Sequence, residues 1–224
     1  MSSSLIHYIP IVTTILAIPF AVAIGRRYGQ HPERLHLLWW AIGVGAYAAG
    51  TLTESLTALF GWQEPVFRLW YITGALLGGA PLAQGTVYLM LKKRTAHLLT
   101  AALVLTVAVA SVAVWSSPIQ YEWVESHRLS GQVFEWTWVR RFSPFINLYA
   151  VIFLVGGAIL SAVKFSRSDA TRHRMWANVW IAASAILPGI GGAFTRFGYT
   201  EVLYVMELLG LLMMWRGYVI SVRP

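Results

Sequence analysis

The sequence predicts an all-α membrane protein, a bundle of seven transmembrane helices. Three observations carry this prediction. Hydrophobic residues make up 57% of the 224 and charged residues only 12%, against roughly 45–50% and 25% in soluble domains. Seven apolar runs are each long enough to cross a hydrocarbon layer of ~30 Å, which takes about 20 helical residues. The basic residues gather on one side of those runs. A water-soluble domain of this size could not bury so much apolar surface. The runs are continuous, without the two-residue alternation of barrel strands, so helices are expected rather than a β-barrel.

The helices are predicted near 8–25, 36–60, 67–91, 97–115, 145–165, 176–195 and 202–221, in one transmembrane domain over 1–224. No basic residue precedes the first run and Arg26-Arg27 follow it, the flanks of an uncleaved anchor rather than a signal peptide. The second run carries Glu54 and ends at Gly61. The third holds a stripe of Gly74, Gly78, Pro81, Gln84, Gly85 and Tyr88, whose steps of three and four keep it on one face. That stripe reads as a tight packing seam or as a cavity wall. The fifth begins with Asn147 and Tyr149. The sixth carries Asn178, Pro188-Gly189 and Gly191-Gly192, so a bend near its end is expected. The seventh carries Glu207.

Lys and Arg set the orientation. Twelve of the 17 basic residues fall in the loops after helices 1, 3 and 5 and at the C-terminal end, against Glu33 and Asp169. That side carries +10. The other side carries −2, from five basic residues and seven acids. The N-terminus is expected outside and the C-terminus in the cytoplasm, with the protein integral to the cytoplasmic membrane. Basic residues beside membrane ends also explain the net charge of +8 through contact with anionic lipid, with no need of nucleic acid.

A shift of 137 residues pairs helices 1–3 with helices 5–7. It matches Arg27 with Lys164, His36 with His173, Trp39 with Trp176, Phe60-Gly61 with Phe197-Gly198, and Glu64 with Glu201. Two readings stand: a parallel 3+1+3 duplication with helix 4 as linker, as in SWEET-type transporters, or two triplets fitted to one membrane thickness. Residues 116–144 form the one substantial segment outside the membrane. Ile119, Tyr121 and Trp123 alternate with polar residues, as do Phe134, Trp136 and Trp138. A β-hairpin is expected there, capping the bundle or lying in the lipid interface.

Ionisable residues inside a membrane are the first functional candidates. Glu54 is placed ~10 Å and Glu207 ~13 Å below the outer ends of their helices, at about 1.5 Å per residue. Arg68 and Arg196 lie at matching depth as counter-charges. The four are expected either to line a polar pocket open to the outside or to lock helices together. Gln84, Tyr88, Asn147 and Asn178 are further polar candidates, with Asn178 expected as an interhelical anchor. No Cys occurs, which excludes disulfides, thiol nucleophiles and Cys-ligated metals. The six His lie near the membrane edges and the three Lys at helix ends. No metal, retinal or other cofactor is therefore predicted.

The segments Gly61-Trp62, Phe67-Arg68-Leu69-Trp70-Tyr71, Gly74-Ala75-Leu76, Gly85-Thr86-Val87-Tyr88-Leu89 and Glu207-Leu208-Leu209-Gly210 resemble small uncharacterised seven-helix membrane proteins of bacteria. The chain is also similar to the seven-helix input modules of bacterial sensor kinases. The resemblance implies a fold and no chemistry. Three functions follow as expectations. The first is a sensor-like or accessory subunit that binds a small or lipid-like ligand and acts through a protein partner or as a homo-oligomer. The second is a small transporter. The third is an enzyme that modifies lipid, with Glu54 or Glu207 as acid or base, although no nucleophile–base pair is recognisable.

Overall fold

The computed structural model describes residues 5–126, 128–168, 171–195 and 197–222. Among them the chain forms no named strand, and seven helices are long and apolar enough to span a membrane. They are α1 (Leu5–Gln30), α2 (Leu35–Phe60), α3 (Glu64–Met90), α4 (Lys93–Ser116), α5 (Thr137–Phe165), α6 (Arg172–Thr195) and α7 (Thr200–Ser221). The chain is built as a multi-pass membrane protein. Successive crossings put the loops after α1, α3 and α5 at a basic end and those after α2, α4 and α6 at an acidic end.

Six helices close a ring: α1 packs on α2, α2 on α3, α3 on α5, α5 on α6, α6 on α7 and α7 back on α1. Helix α4 stands outside it, mainly against α3 and α5. Small residues bring α2 and α3 together. Gly50 faces the Gly74 backbone, and a β-carbon on Gly85 would lie 2.3 Å from the Trp40 ring. The small stripe on α3 is thus a packing seam, where close backbone approach supplies the dispersion contacts that hold helices together in lipid.

Helix α3 is not uniform. It starts as α-helix (Glu64–Trp70), loosens to a π-helical stretch (Tyr71–Leu76) and restarts as α-helix at Ala80. Pro81 falls in the first turn of that restart. There its missing N–H is one that the start of a helix leaves unpaired in any case, and the Ala75 carbonyl before the break accepts from Ser143 Oγ at 2.9 Å. Helix α5 carries a second π-helical stretch, Val151–Val155. Helix α6 continues through Pro188.

The segment expected as a β-hairpin takes another form. It makes short 3-10 turns at Tyr121–Trp123, Gly131–Val133 and Thr137–Arg141, and isolated antiparallel bridges, Ile119 with Phe134 and Glu125 with Arg128. Its buried residues explain the difference. Leu129, Val133, Phe134 and Val139 point inward, a spacing of four, one and five that no two-residue alternation satisfies. Phe134 caps α3, with its ring 5.0 Å from Phe67 and 4.9 Å from Tyr71. Trp136 and Trp138 stack on each other at 5.9 Å and stay exposed. Arg128 ties the loop to α6 by donating to the Thr195 carbonyl at 3.0 Å.

Candidate functional site

Two features of the bundle are candidates, one near each end. Toward the acidic end, Glu54 of α2 and Glu207 of α7 lie close to each other inside the bundle. Glu54 is buried, and its Oε1 accepts from Trp70 Nε1 at 2.9 Å. The Oε2 atoms of both residues are buried and receive no donor among the described residues. Two ionised carboxylates have no donor to offer each other. A hydrogen bond between the two acids would therefore need a proton on one of them. Tyr47 donates to the Glu207 backbone carbonyl at 2.7 Å, and the side chains of Tyr47 and Tyr204 lie near both acids.

Glu54→Gln is expected to preserve this arrangement, because the amide oxygen still accepts from Trp70 and the amide nitrogen offers a donor to Glu207. Glu54→Leu leaves the Trp70 N–H and the Glu207 carboxyl without a partner and should cost about 2 kcal/mol. Unfolding of the three proteins in one detergent tests this; a Gln variant no more stable than the Leu variant would sink it.

The predicted counter-charges do not join the pair. Arg68 is buried at 5% exposure but turns to the other side of α3. Its Nε and Nη2 donate to Glu64 Oε1 at 2.9 and 2.7 Å. Nη1 donates to the Val114 carbonyl and Nη2 to the Ser117 carbonyl at 2.9 Å. Arg68 thus fastens α3 to the end of α4. Glu64 also accepts from the Tyr121 hydroxyl at 2.5 Å, and that bond raises the pKa of the exposed Tyr121 phenol above its ordinary value. Arg196 lies outside the described residues.

The remaining candidates separate in the same way. Gln84 is fully buried in a knot of three helices. Its Nε2 donates to the Ala96 carbonyl at 3.1 Å and to Thr100 Oγ1 at 2.8 Å, and its Oε1 accepts from the Tyr149 hydroxyl. The Tyr88 hydroxyl lies 2.9 Å from His97 Nδ1 and 3.0 Å from Thr100 Oγ1. These two residues join α3 to α4 and α5. Asn147 is exposed and donates to Ser143 Oγ one turn back. Asn178 bonds to no neighbouring helix among the described residues; it donates to the Arg174 carbonyl of its own helix at 2.8 Å.

The second feature is a cavity of about 650 Å³ near the basic end. Sequence reasoning placed a pocket at the acidic end, over Glu54 and Glu207. This cavity is walled instead by all six ring helices and by no residue of α4. Its deep wall is apolar, with Phe20, Val44, Leu82, Leu154 and Met214. Arg27, Arg34, Lys164, Arg174 and Asn178 also line it, and no acid does among the described residues. Arg34 is offset by Glu33 at 3.4 Å, and Arg174 lies over the Phe165 ring at 5.9 Å. Arg27 and Lys164 have no ion pair among the described residues.

Of the predicted polar candidates, Asn178 lines this cavity. Arg27 and Lys164, paired under the 137-residue shift, are expected from the sequence to orient the chain and to meet anionic lipid. Comparison with known protein families, with curated proteins and with solved structures finds no match to this chain.

Proposed function

We propose that this protein is a membrane subunit, sensor-like or accessory, that holds a small lipid-like ligand inside its helix ring and acts through a partner. One observation carries the reading: a cavity of about 650 Å³ enclosed by six helices, apolar in its depth and polar at its mouth. Its size falls within the roughly 300–1,000 Å³ of sites that hold small ligands. The excess of Lys and Arg at the same end supports a cytoplasmic mouth and a place in the cytoplasmic membrane.

The test is native mass spectrometry of protein extracted gently from its own membrane, beside an Ala158→Phe variant. Ala158 is buried on the cavity wall, and a phenyl ring there would fill the space. A small molecule should travel with the wild type and be lost from the variant. A wild type without one, or a variant that retains it, overturns the reading.

A transporter is the second reading, and two observations favour it. The matched turns after α2 and α6 both use a left-handed glycine, Gly61 at φ 78° and Gly198 at φ 95°, and α4 stands outside the ring as a linker would. A void of about 10 Å³ shares Val44, Leu82 and Met214 with the cavity and reaches Tyr47, which bonds α7 at Glu207. Uptake into proteoliposomes that Glu54→Gln and Glu207→Gln abolish would select this reading over the first.

A further inference from the structure

The lining of the cavity narrows its ligand to one chemical class, and this step rests on the ligand-binding reading above. Along α5 the wall runs from Leu154 to Phe165, about 16 Å at 1.5 Å per residue. The inner part of that length is apolar and suits a hydrocarbon tail. At the mouth, Arg27 of α1, Lys164 of α5 and Arg174 of α6 come from three separate helices onto one cavity. Like charges converging from three helices repel each other unless an anion lies among them. Arg27 and Lys164 have no acid beside them to fill that role among the described residues.

The rim of the cavity is apolar and exposed. Leu89, Met90 and Leu160 line the cavity and are 53%, 43% and 63% exposed. Apolar side chains that belong to both cavity and outer surface give a path for a molecule already dissolved in the bilayer. A water-soluble ligand would gain nothing from it.

We infer that the cavity binds an anionic acyl lipid, with the tail on the apolar wall and the phosphate or carboxylate head among Arg27, Lys164 and Arg174. A phosphate or a carboxylate accepts from guanidinium and ammonium donors through short, charge-assisted bonds. The lateral apolar path assigns the source to acidic phospholipid of the surrounding leaflet. A free fatty carboxylate shares the head and tail chemistry and serves as the comparison.

The experiment titrates the purified full chain with phosphatidylglycerol, with phosphatidylcholine of equal chain length, and with palmitate, and counts bound lipid by native mass spectrometry. Phosphatidylglycerol should bind at one saturable site at least tenfold more tightly than phosphatidylcholine. The double variant Arg27→Gln/Lys164→Gln should lower its binding to the phosphatidylcholine level. A control double variant, Arg26→Gln/Arg216→Gln, removes equal charge from residues that do not line the cavity and should bind as the wild type does. Thermal unfolding of each variant confirms that the bundle is intact.

Equal binding of both phospholipids, with both lost in Ala158→Phe, overturns the anionic class while the ligand-binding reading stands. Binding unchanged in Ala158→Phe overturns both. Equal loss in the two double variants reduces the preference to surface charge and overturns the site. Palmitate bound at the site in place of phosphatidylglycerol overturns the phospholipid source.

Discussion

Arg68→Met is expected to destabilise the bundle by about 3 kcal/mol, toward the lower end of the range for breaking a buried charged pair. Four hydrogen bonds from one guanidinium are lost together: two to Glu64 and one each to the carbonyls of Val114 and Ser117. The carbonyls carry most of the cost. They lie at the end of α4, where the last turn has no N–H of its own helix to receive. Glu64 contributes less, because it is partly exposed and water can take over its solvation. Arg68→Lys should recover less than half of the loss, since one ammonium cannot serve acceptors spread in a plane around a guanidinium. Unfolding of the three proteins under one set of detergent conditions measures both effects. A methionine variant within 0.5 kcal/mol of the wild type, inside the ordinary range for surface changes, would contradict the assignment of Arg68 as a fastener.

Gln84→Leu is expected to cost about 2 kcal/mol, by leaving the Tyr149 hydroxyl in an apolar seam without its acceptor. Tyr149→Phe alone strands the Gln84 carbonyl oxygen in the same way and should cost a similar amount. The double variant should be little worse than Gln84→Leu alone, because the Tyr149 hydroxyl and its acceptor are then removed together. The expected signature is therefore a strong departure from additivity between two residues 65 positions apart in the chain. Additive losses would mean that the bond between α3 and α5 contributes little. The pair also separates a structural role from a functional one: if Gln84 served the ligand, the double variant would lose binding while keeping its fold.

The seven crossings were legible because hydropathy responds to membrane thickness, which is a property of each segment alone. Helix ends were less so. The first and fourth helices were predicted near 8–25 and 97–115, and they run Leu5–Gln30 and Lys93–Ser116. Polar residues beyond the hydrocarbon remain helical there, and hydropathy does not register them. Depth put Glu54 and Glu207 at one level, and the two lie close in the bundle. It misassigned Arg68 because depth carries no angular information. Residues two apart on a helix point about 200° from each other, and it is Trp70, two residues on, that faces Glu54. The cavity escaped notice for a different reason. It is shared among six helices, each of which gives it a few ordinary residues, so no single segment bears its mark.

The π-helical stretch Tyr71–Leu76 bears on how this chain tolerates insertion and deletion. Such a stretch holds one residue more than the α-helix it interrupts. Deleting a single residue there would let the first part of α3 run as α-helix up to the turn at residues 77–79. The same deletion would turn everything beyond it by about 100°. Gln84 would leave Thr100 and Tyr149, and Gly85 would leave the Trp40 ring it now admits. The extra residue is a phase adjustment between the two halves of one helix, and its length is fixed by partners a full turn or more away.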